Sequence, residues 1–228
     1  MASGTGTQLV ARRDAAKLWV MAQAEGQVRW LMRWGVLLLA GAAAVIVLIA
    51  SGAFDPKLLG PKQWSQALGA EYIPSQSRQI QWLKESTPHA SYTIRLTAAH
   101  QSGEVDAGYG LVIGQDAHYL AIAVSPLGYV AIWQEEAGIA DPASSYAPFP
   151  STFFVPWQTW PHVLQGGAMN ELWVDVVDGR VTVRINRELL WSGEIADVSG
   201  EVGVLGESFG GAAVVDFQKI ELFATAAK

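Results

Sequence analysis

The 228-residue sequence contains no cysteine, which excludes disulfides, thiolate metal sites and cysteine nucleophiles and leaves the redox compartment open. Charge is sparse: Asp, Glu, Lys and Arg make up 16% of the chain, against about a quarter in typical soluble domains. The four histidines, His89, His100, His118 and His162, are scattered without metal-ligand spacing, and no acidic run follows a calcium-loop pattern. No metal site is expected. Phosphate-loop, dinucleotide and nucleophile-elbow patterns are missing too; GESFGG, Gly206 to Gly211, lacks the strand-to-helix setting they need. No cofactor is expected.

What charge there is lies unevenly. Residues 1–34 carry five Lys/Arg against two acids, and residues 55–228 carry ten against nineteen. A basic head on an acidic body argues against nucleic acid as a partner. Between the two lies WGVLLLAGAAAVIVLIASGAF, Trp34 to Phe54, twenty-one residues without a charge. As a helix it is about 30 Å long, the thickness of a bilayer's hydrocarbon core. Arg29, Trp30, Arg33 and Trp34 stand at its N-terminal edge, the basic and aromatic signature of a cytoplasmic interface. The expectation is a single-pass protein of the cytoplasmic membrane, with the lipid bilayer as partner. Its N-terminus is then cytoplasmic and its C-terminal body periplasmic or extracellular. A buried core helix of this length does not suit so small a chain. A cleaved signal peptide, with Ser51–Ala53 as the small-residue site, would need an n-region of unusual length.

Four regions follow. Residues 1–33 form a cytoplasmic segment in which 8–33 is amphipathic; Leu9, Leu18, Met21, Ala24, Val28, Leu31 and Met32 recur at three- and four-residue steps. It lies on the inner leaflet, docks on a neighbouring membrane protein, or simply extends the span. Residues 34–54 are the span, 55–71 a juxtamembrane linker with Pro56, Gly60 and Pro61, and 72–228 an extracytoplasmic domain of period-two patterning. In ELWVDVVDGRVTVRIN the Asp178-Gly179 turn sets Val176 opposite Val181, Val174 opposite Val183 and Leu172 opposite Ile185. Trp173 with Arg184 (a cation–π pair) and Asp175 with Thr182 fall on the other face. In HYLAIAVSPLGYVAIWQ the Ser-Pro-Leu-Gly turn pairs Val124 with Val130 and Ile122 with Ile132. That leaves Tyr119, Ala121, Ala123, Tyr129, Ala131 and Trp133 together on the opposite face. Further strands are expected at 92–98, 108–114, 201–206 and 213–223. Many short antiparallel strands make an all-β sandwich.

Three stretches, YGLVIGQDAHYLAIAVSPLGYVAIWQ (109–134), NELWVDVVDGRVTVRIN (170–186) and GEVGVLGESFGGAAVVDFQKIEL (200–222), carry a resemblance. Over residues 72–224 the chain resembles the concanavalin A-like lectin/glucanase superfamily, in particular its bacterial jelly-roll modules. The resemblance implies an antiparallel jelly roll, and a fold that hosts lectins, glycosidases and structural modules alike. Where such modules follow the middle hairpin with Asn-Gly, this chain has Asn186-Arg187. Laminarinase-type members carry Glu-x-Asp-x-x-Glu on one strand, the two glutamates serving as nucleophile and acid/base. In SGEVDAGYG, Glu104 and Asp106 match the first two places and Tyr109 falls on the third. A retaining glycosidase needs both carboxyls, so SGE is read as a turn and no catalytic residue is assigned.

The aromatics are the remaining candidates. Tyr119, Tyr129 and Trp133 share a face. Trp157 and Trp160 follow in EEAGIADPASSYAPFPSTFFVPWQTW, a stretch with four prolines and six aromatics that is either a functional loop or hides a strand. Exposed rings there stack on sugars or anchor a protein; buried, they simply fill the sandwich. The expected function is a membrane-anchored, non-catalytic binding module for a glycan or a membrane-protein partner. The alternative is an accessory subunit of a larger membrane complex, docking through a small-residue stripe at Ala40 and Ala44. A glycan hydrolase ranks third.

Overall fold

The computed structural model describes residues 30, 32–51, 55–88, 91–115, 118–135, 151–196 and 198–224. The chain forms two compact units, Met1–Asp55 and Pro56–Lys228. In the first, helix α1 (Met32–Ala50) is long and apolar enough to cross a membrane by length and composition, and none of it is buried. Trp30 and Trp34 sit one turn apart at its start, their rings edge to face with centroids 5.9 Å apart. Arg29, the amphipathic positions before it and the end of the small-residue site at Gly52–Ala53 lie outside the described residues.

The second unit is an antiparallel sandwich. Its strands are β1 (Lys62–Gln66), β2 (Gly69–Ile73), β3 (Ser77–Ser86), β4 (Tyr92–Gly103), β5 (Ala107–Gln115), β6 (His118–Val124) and β7 (Tyr129–Glu135). They continue with β8 (Ser151–Thr159), β9 (Asn170–Val177), β10 (Arg180–Ile185), β11 (Glu188–Glu194), β12 (Glu201–Ser208) and β13 (Ala213–Ala224). One sheet has seven strands in the order β1-β13-β4-β9-β10-β11, with β2 also pairing β13; the other has six in the order β3-β12-β5-β6-β7-β8. The jelly-roll expectation holds.

Both hairpins adopt the register read from their turns. Val176 faces Val181, Val174 faces Val183 and Leu172 faces Ile185, while Val124 faces Val130 and Ile122 faces Ile132. Asp178 and Gly179 take φ of 49° and 80°, the left-handed pair that a twisted two-residue hairpin requires. The aliphatic faces of β4, β9, β10 and β13 meet those of β5, β6, β7 and β12 in one inter-sheet core. Asn170, fully buried, pins the loop after β8 to that core: its Nδ2 donates to Tyr109 Oη (3.0 Å) and Leu164 O (2.9 Å), and its Oδ1 accepts from Leu164 N (2.8 Å).

Two expectations, the linker and the Trp173–Arg184 pair, need correcting, and two points left open find their answer. The linker read at 55–71 contains β1 and most of β2, because alternation resumes right after the Pro56–Pro61 punctuation and β13 is long enough to pair both short strands end to end. Of the two readings of the stretch 135–160, the hidden strand is the one that forms: it holds β8, whose Pro156 is tolerated at the sheet's edge; residues 136–150 lie outside the described residues. Trp173 does not stack on Arg184. Arg184 Nη1 instead meets Asp175 Oδ2 at 2.8 Å, and the guanidinium beside the indole is that of Arg95, 5.8 Å from the ring centroid. The Asn186-Arg187 turn forms with both residues left-handed, φ 52° and 74°. Asn186 is held there by its side chain, which accepts from Glu171 N (2.8 Å) and donates to His162 O (2.7 Å).

Candidate functional site

Strand alternation gives each sheet an inner and an outer face, and the outer face of the six-stranded sheet is not an ordinary solvated one. Read across from β3 to β8, it presents Arg78, Ile80 and Trp82; Glu207 and Leu205; Gly108, Gly110 and Val112; Tyr119, Ala121 and Ala123; Ala131, Trp133 and Glu135; then Phe153 and Trp157. Val112, Tyr119, Ala121, Ala123, Ala131, Trp133 and Leu205 form a second buried apolar cluster on this face, with Ile80, Trp82 and Trp157 packed against it. Small residues in the middle strands make a flat floor on which large rings from the flanking strands lie. At Gly108 the fit is tight: a Cβ there would fall 3.0 Å from Trp157 Cη2 and 3.1 Å from Glu207 Cγ, so those side chains would have to give by a few tenths of an ångström.

Trp133, a candidate ligand platform in the sequence, is only 1% exposed. Phe153 and Trp157 cover it, with ring centroids 6.0 Å and 6.3 Å away, and the Arg78 guanidinium lies 5.2 Å from its centroid. Its role is to support the rings above it. Tyr119 is buried as well, edge to face with Trp82 at 6.1 Å. The rings left accessible near Trp133 are Phe153 (49% exposed), half-buried Trp157, and Phe209 (39% exposed) in the turn after β12, which meets Trp157 edge-on at 6.1 Å; Trp82, also half-buried, lies on β3 across the sheet. With Trp133 beneath they make an aromatic strip in which the steps Phe153–Trp133, Trp133–Trp157 and Trp157–Phe209 are each about 6 Å between centroids. Tyr129 is accessible at the far end of β7. Trp160, an odd three residues from Trp157, falls on the opposite side and packs on the inter-sheet core, where Trp160 N bonds Gly128 O at 3.0 Å.

Beside the strip sits a charged cluster that no sequence pattern announced. Arg78 Nε donates to Glu207 Oε2 at 2.8 Å and Arg78 Nη1 to Glu135 Oε2 at 3.3 Å. Glu135 Oε2 also accepts from Trp133 Nε1 at 3.1 Å and Tyr119 Oη at 3.5 Å. One cation therefore serves two buried carboxyls. Burial, together with the charge of Glu135, pushes the Glu207 carboxyl above its usual range despite Arg78. Burial likewise pushes the Tyr119 phenol up to about 12, against the pull of Arg78.

The carboxylates of SGEVDAGYG are elsewhere and do something else. They lie in the turn between β4 and β5. Glu104 Oε1 accepts from the backbone N–H of Val105 (3.0 Å) and Asp106 (3.1 Å), and Oε2 from Gly211 (3.0 Å). Those amide bonds, that of Gly211 foremost, hold its carboxyl below the usual range. Glu104 ties two loops together, and the turn reading stands. Among the described residues no group of three His, Cys, Asp or Glu could hold a metal ion.

No protein-family model matches this sequence, and no curated protein is similar to it at the sequence level. Among solved structures the chain is similar to the carbohydrate binding module CBM66 from Bacillus subtilis, at 10% identity and a TM-score of 0.52, over 74% of this chain and 100% of that module. It is also similar to a functionally unknown protein from Saccharomyces cerevisiae (10% identity, TM-score 0.47, 75% of this chain and 97% of that one). A third is a GH16 protein from Bacteroides ovatus (10% identity, TM-score 0.47, 68% and 80%). At these identities the likeness is one of fold: the body of this protein is a jelly-roll sandwich of the kind found in a carbohydrate-binding module.

Proposed function

We propose that this protein is a membrane-tethered, non-catalytic glycan-binding module whose ligand lies along the outer face of the six-stranded sheet. The observation that carries this reading is the strip of Phe153, Trp157 and Phe209 standing over buried Trp133. Accessible rings held rigidly from below offer apolar faces to the C–H faces of sugars at little entropic cost. The half-exposed Arg78 beside them supplies donors for hydroxyls. The fold shared with CBM66 supports the reading by analogy. Helix α1 would serve as the anchor, with the N-terminus cytoplasmic and the sandwich periplasmic or extracellular.

Binding without bond cleavage is supported by how the carboxyls are engaged. A glycosidase needs one carboxyl free to protonate and one free to attack or to activate water. Glu104 is occupied by three backbone amides, and Glu135 and Glu207 share Arg78.

The test is co-sedimentation of the full-length protein, reconstituted in liposomes, with insoluble cell-wall and storage polysaccharides. Wild-type vesicles should pellet with at least one glycan. The double substitution Phe153→Ala, Trp157→Ala should reduce the bound fraction roughly tenfold or more, as loss of two stacking rings implies, with the circular-dichroism spectrum unchanged. Wild-type vesicles that pellet no better than empty ones across the panel, or a double variant that binds as wild type does, would overturn the reading.

A further inference from the structure

The sandwich has an open side mouth between its two sheets, and the residues there have an unusual character. On β2, Glu71 and Ile73 pair with the inward-facing Val215 and Ala213 of β13. On β3, Gln79 and Gln81 pair with the inward-facing Gly206 and Val204 of β12. Register therefore turns one carboxylate and two carboxamides toward the space between the sheets, where most of the inner surface is aliphatic or aromatic. The apolar side of β3, Ile80 and Trp82, points outward instead and packs on the aromatic face. Behind the polar groups lies a cavity of about 470 Å³, lined by Glu71, Gln79 and Gln81 at the rim and by Ile73, Val204 and Phe217 on the floor. Its base is close-packed: a Cβ on Gly206 would fall 2.2 Å from Ile73 Cδ1.

We propose that this mouth is a second binding site, for a neutral polyhydroxylated molecule the size of one sugar or cyclitol ring, separate from the aromatic strip. The volume lies within the range of small-molecule sites, roughly 300–1,000 Å³, and the lining follows their pattern of an apolar floor with a few convergent polar groups. Each carboxamide offers two N–H donors and an acceptor oxygen, and the carboxylate offers acceptors only. A hydroxyl both donates and accepts, so adjacent ring hydroxyls can be satisfied by this set. No cationic side chain lines the mouth and Glu71 is acidic, so the site favours a neutral ligand over an anion. Among the described residues none makes a hydrogen bond or ion pair with the side chains of Glu71, Gln79 and Gln81, so their capacity is open to a ligand. Inward polar groups on edge strands also deter edge-to-edge pairing. That role needs no empty volume behind them.

The site is tested by saturation-transfer NMR on the full-length protein in a detergent without a sugar headgroup. The probes are the methyl glycosides of D-glucose, D-galactose and D-mannose, with myo-inositol as the cyclitol and choline chloride as a cationic control. At least one polyol should receive saturation from the wild type. Gln79→Leu, Gln81→Leu together should weaken its binding roughly tenfold or more, the loss of a pair of hydrogen bonds. Glu71→Gln, which keeps the shape, gives an independent loss should the double variant not fold. Trp157→Ala should leave the polyol signal unchanged. No polyol binding to the wild type, or binding untouched by both mouth variants, would overturn the proposal. So would binding lost in Trp157→Ala alone, which would move the probes to the strip, and so would binding of choline alone. Because the strip and the mouth are altered separately, failure of this proposal and failure of the glycan-strip reading give different patterns.

Discussion

On the outer face of the seven-stranded sheet one carboxylate, Glu221, meets three cations: Lys62 Nζ at 2.7 Å, Arg95 Nη2 at 2.5 Å and Lys219 Nζ at 3.2 Å. On the outer face of the six-stranded sheet one cation, Arg78, meets two carboxyls. The consequences have opposite sign. Burial works against ionising Glu221, but its three partners outweigh it and bring the carboxyl down to about 2. At Glu207 burial wins, and the carboxyl is raised. The first face is saturated with polar contacts, Asp175 alone accepting from Thr93, Trp173 and Arg184; the second is apolar, aromatic and short of positive charge. A solvated protein surface looks like the first. The difference singles out the second as the surface shaped for something other than water.

Removing Arg78 should have the largest effect. Arg78→Met leaves Glu135 and Glu207 buried without it and should cost about 3–5 kcal/mol at neutral pH, whereas Arg95→Met, with Lys62 and Lys219 still on Glu221, should cost clearly less. Equal losses in chemical denaturation would break the comparison. Next come the two glutamates and their pH dependence. Because Glu221 is lowered on folding, its contribution is present above about pH 4.5 and is lost as pH falls toward 2. Wild type should exceed Glu221→Gln by on the order of 2–3 kcal/mol at pH 7, and the gap should close in acid. Because Glu207 is raised on folding, the sign reverses: its contribution is present below about pH 4.5 and is lost as pH rises through the folded value. Glu207→Gln should therefore gain on wild type as pH rises. Unfolding midpoints from pH 3 to 8 decide both, and parallel curves for the two variants would contradict the account. The smallest effect is at the rim of the saturated cluster, where Arg187 holds a left-handed φ of 74° beside Glu171 at 3.7 Å. Arg187→Gly should stabilise by about 1 kcal/mol, since an exposed ion pair contributes less than that strain. A loss would show that the rim charge matters more than the backbone.

How much of this was legible in the sequence follows the range of the interactions. The register of β9 and β10 was readable because Asp178-Gly179 fixes it locally, and the face of Tyr119, Ala121, Ala123, Ala131 and Trp133 because the Ser-Pro-Leu-Gly turn does. That Trp133 would be buried was not readable. Its cover comes from Phe153 and Trp157 on a strand interrupted by proline and from Arg78 on a strand taken for none. The Arg78–Glu207 pair joins residues 129 apart in the chain, and no local periodicity encodes it. Trp160 sits three residues beyond Trp157, and that odd step is enough to put one toward the core and the other outside. β3 carried a signal that misleads: Ile80 and Trp82 alternate with Gln79 and Gln81, but the apolar side faces away from the inter-sheet core.

The most direct test of the central claim is a glycan array probed with the full-length protein in detergent, wild type against Trp157→Ala. The account predicts retention of the wild type on a defined set of glycans, with loss of signal in Trp157→Ala at an unchanged unfolding midpoint. Indifference of the wild type to every glycan, or retention of the variant at wild-type strength, would contradict it.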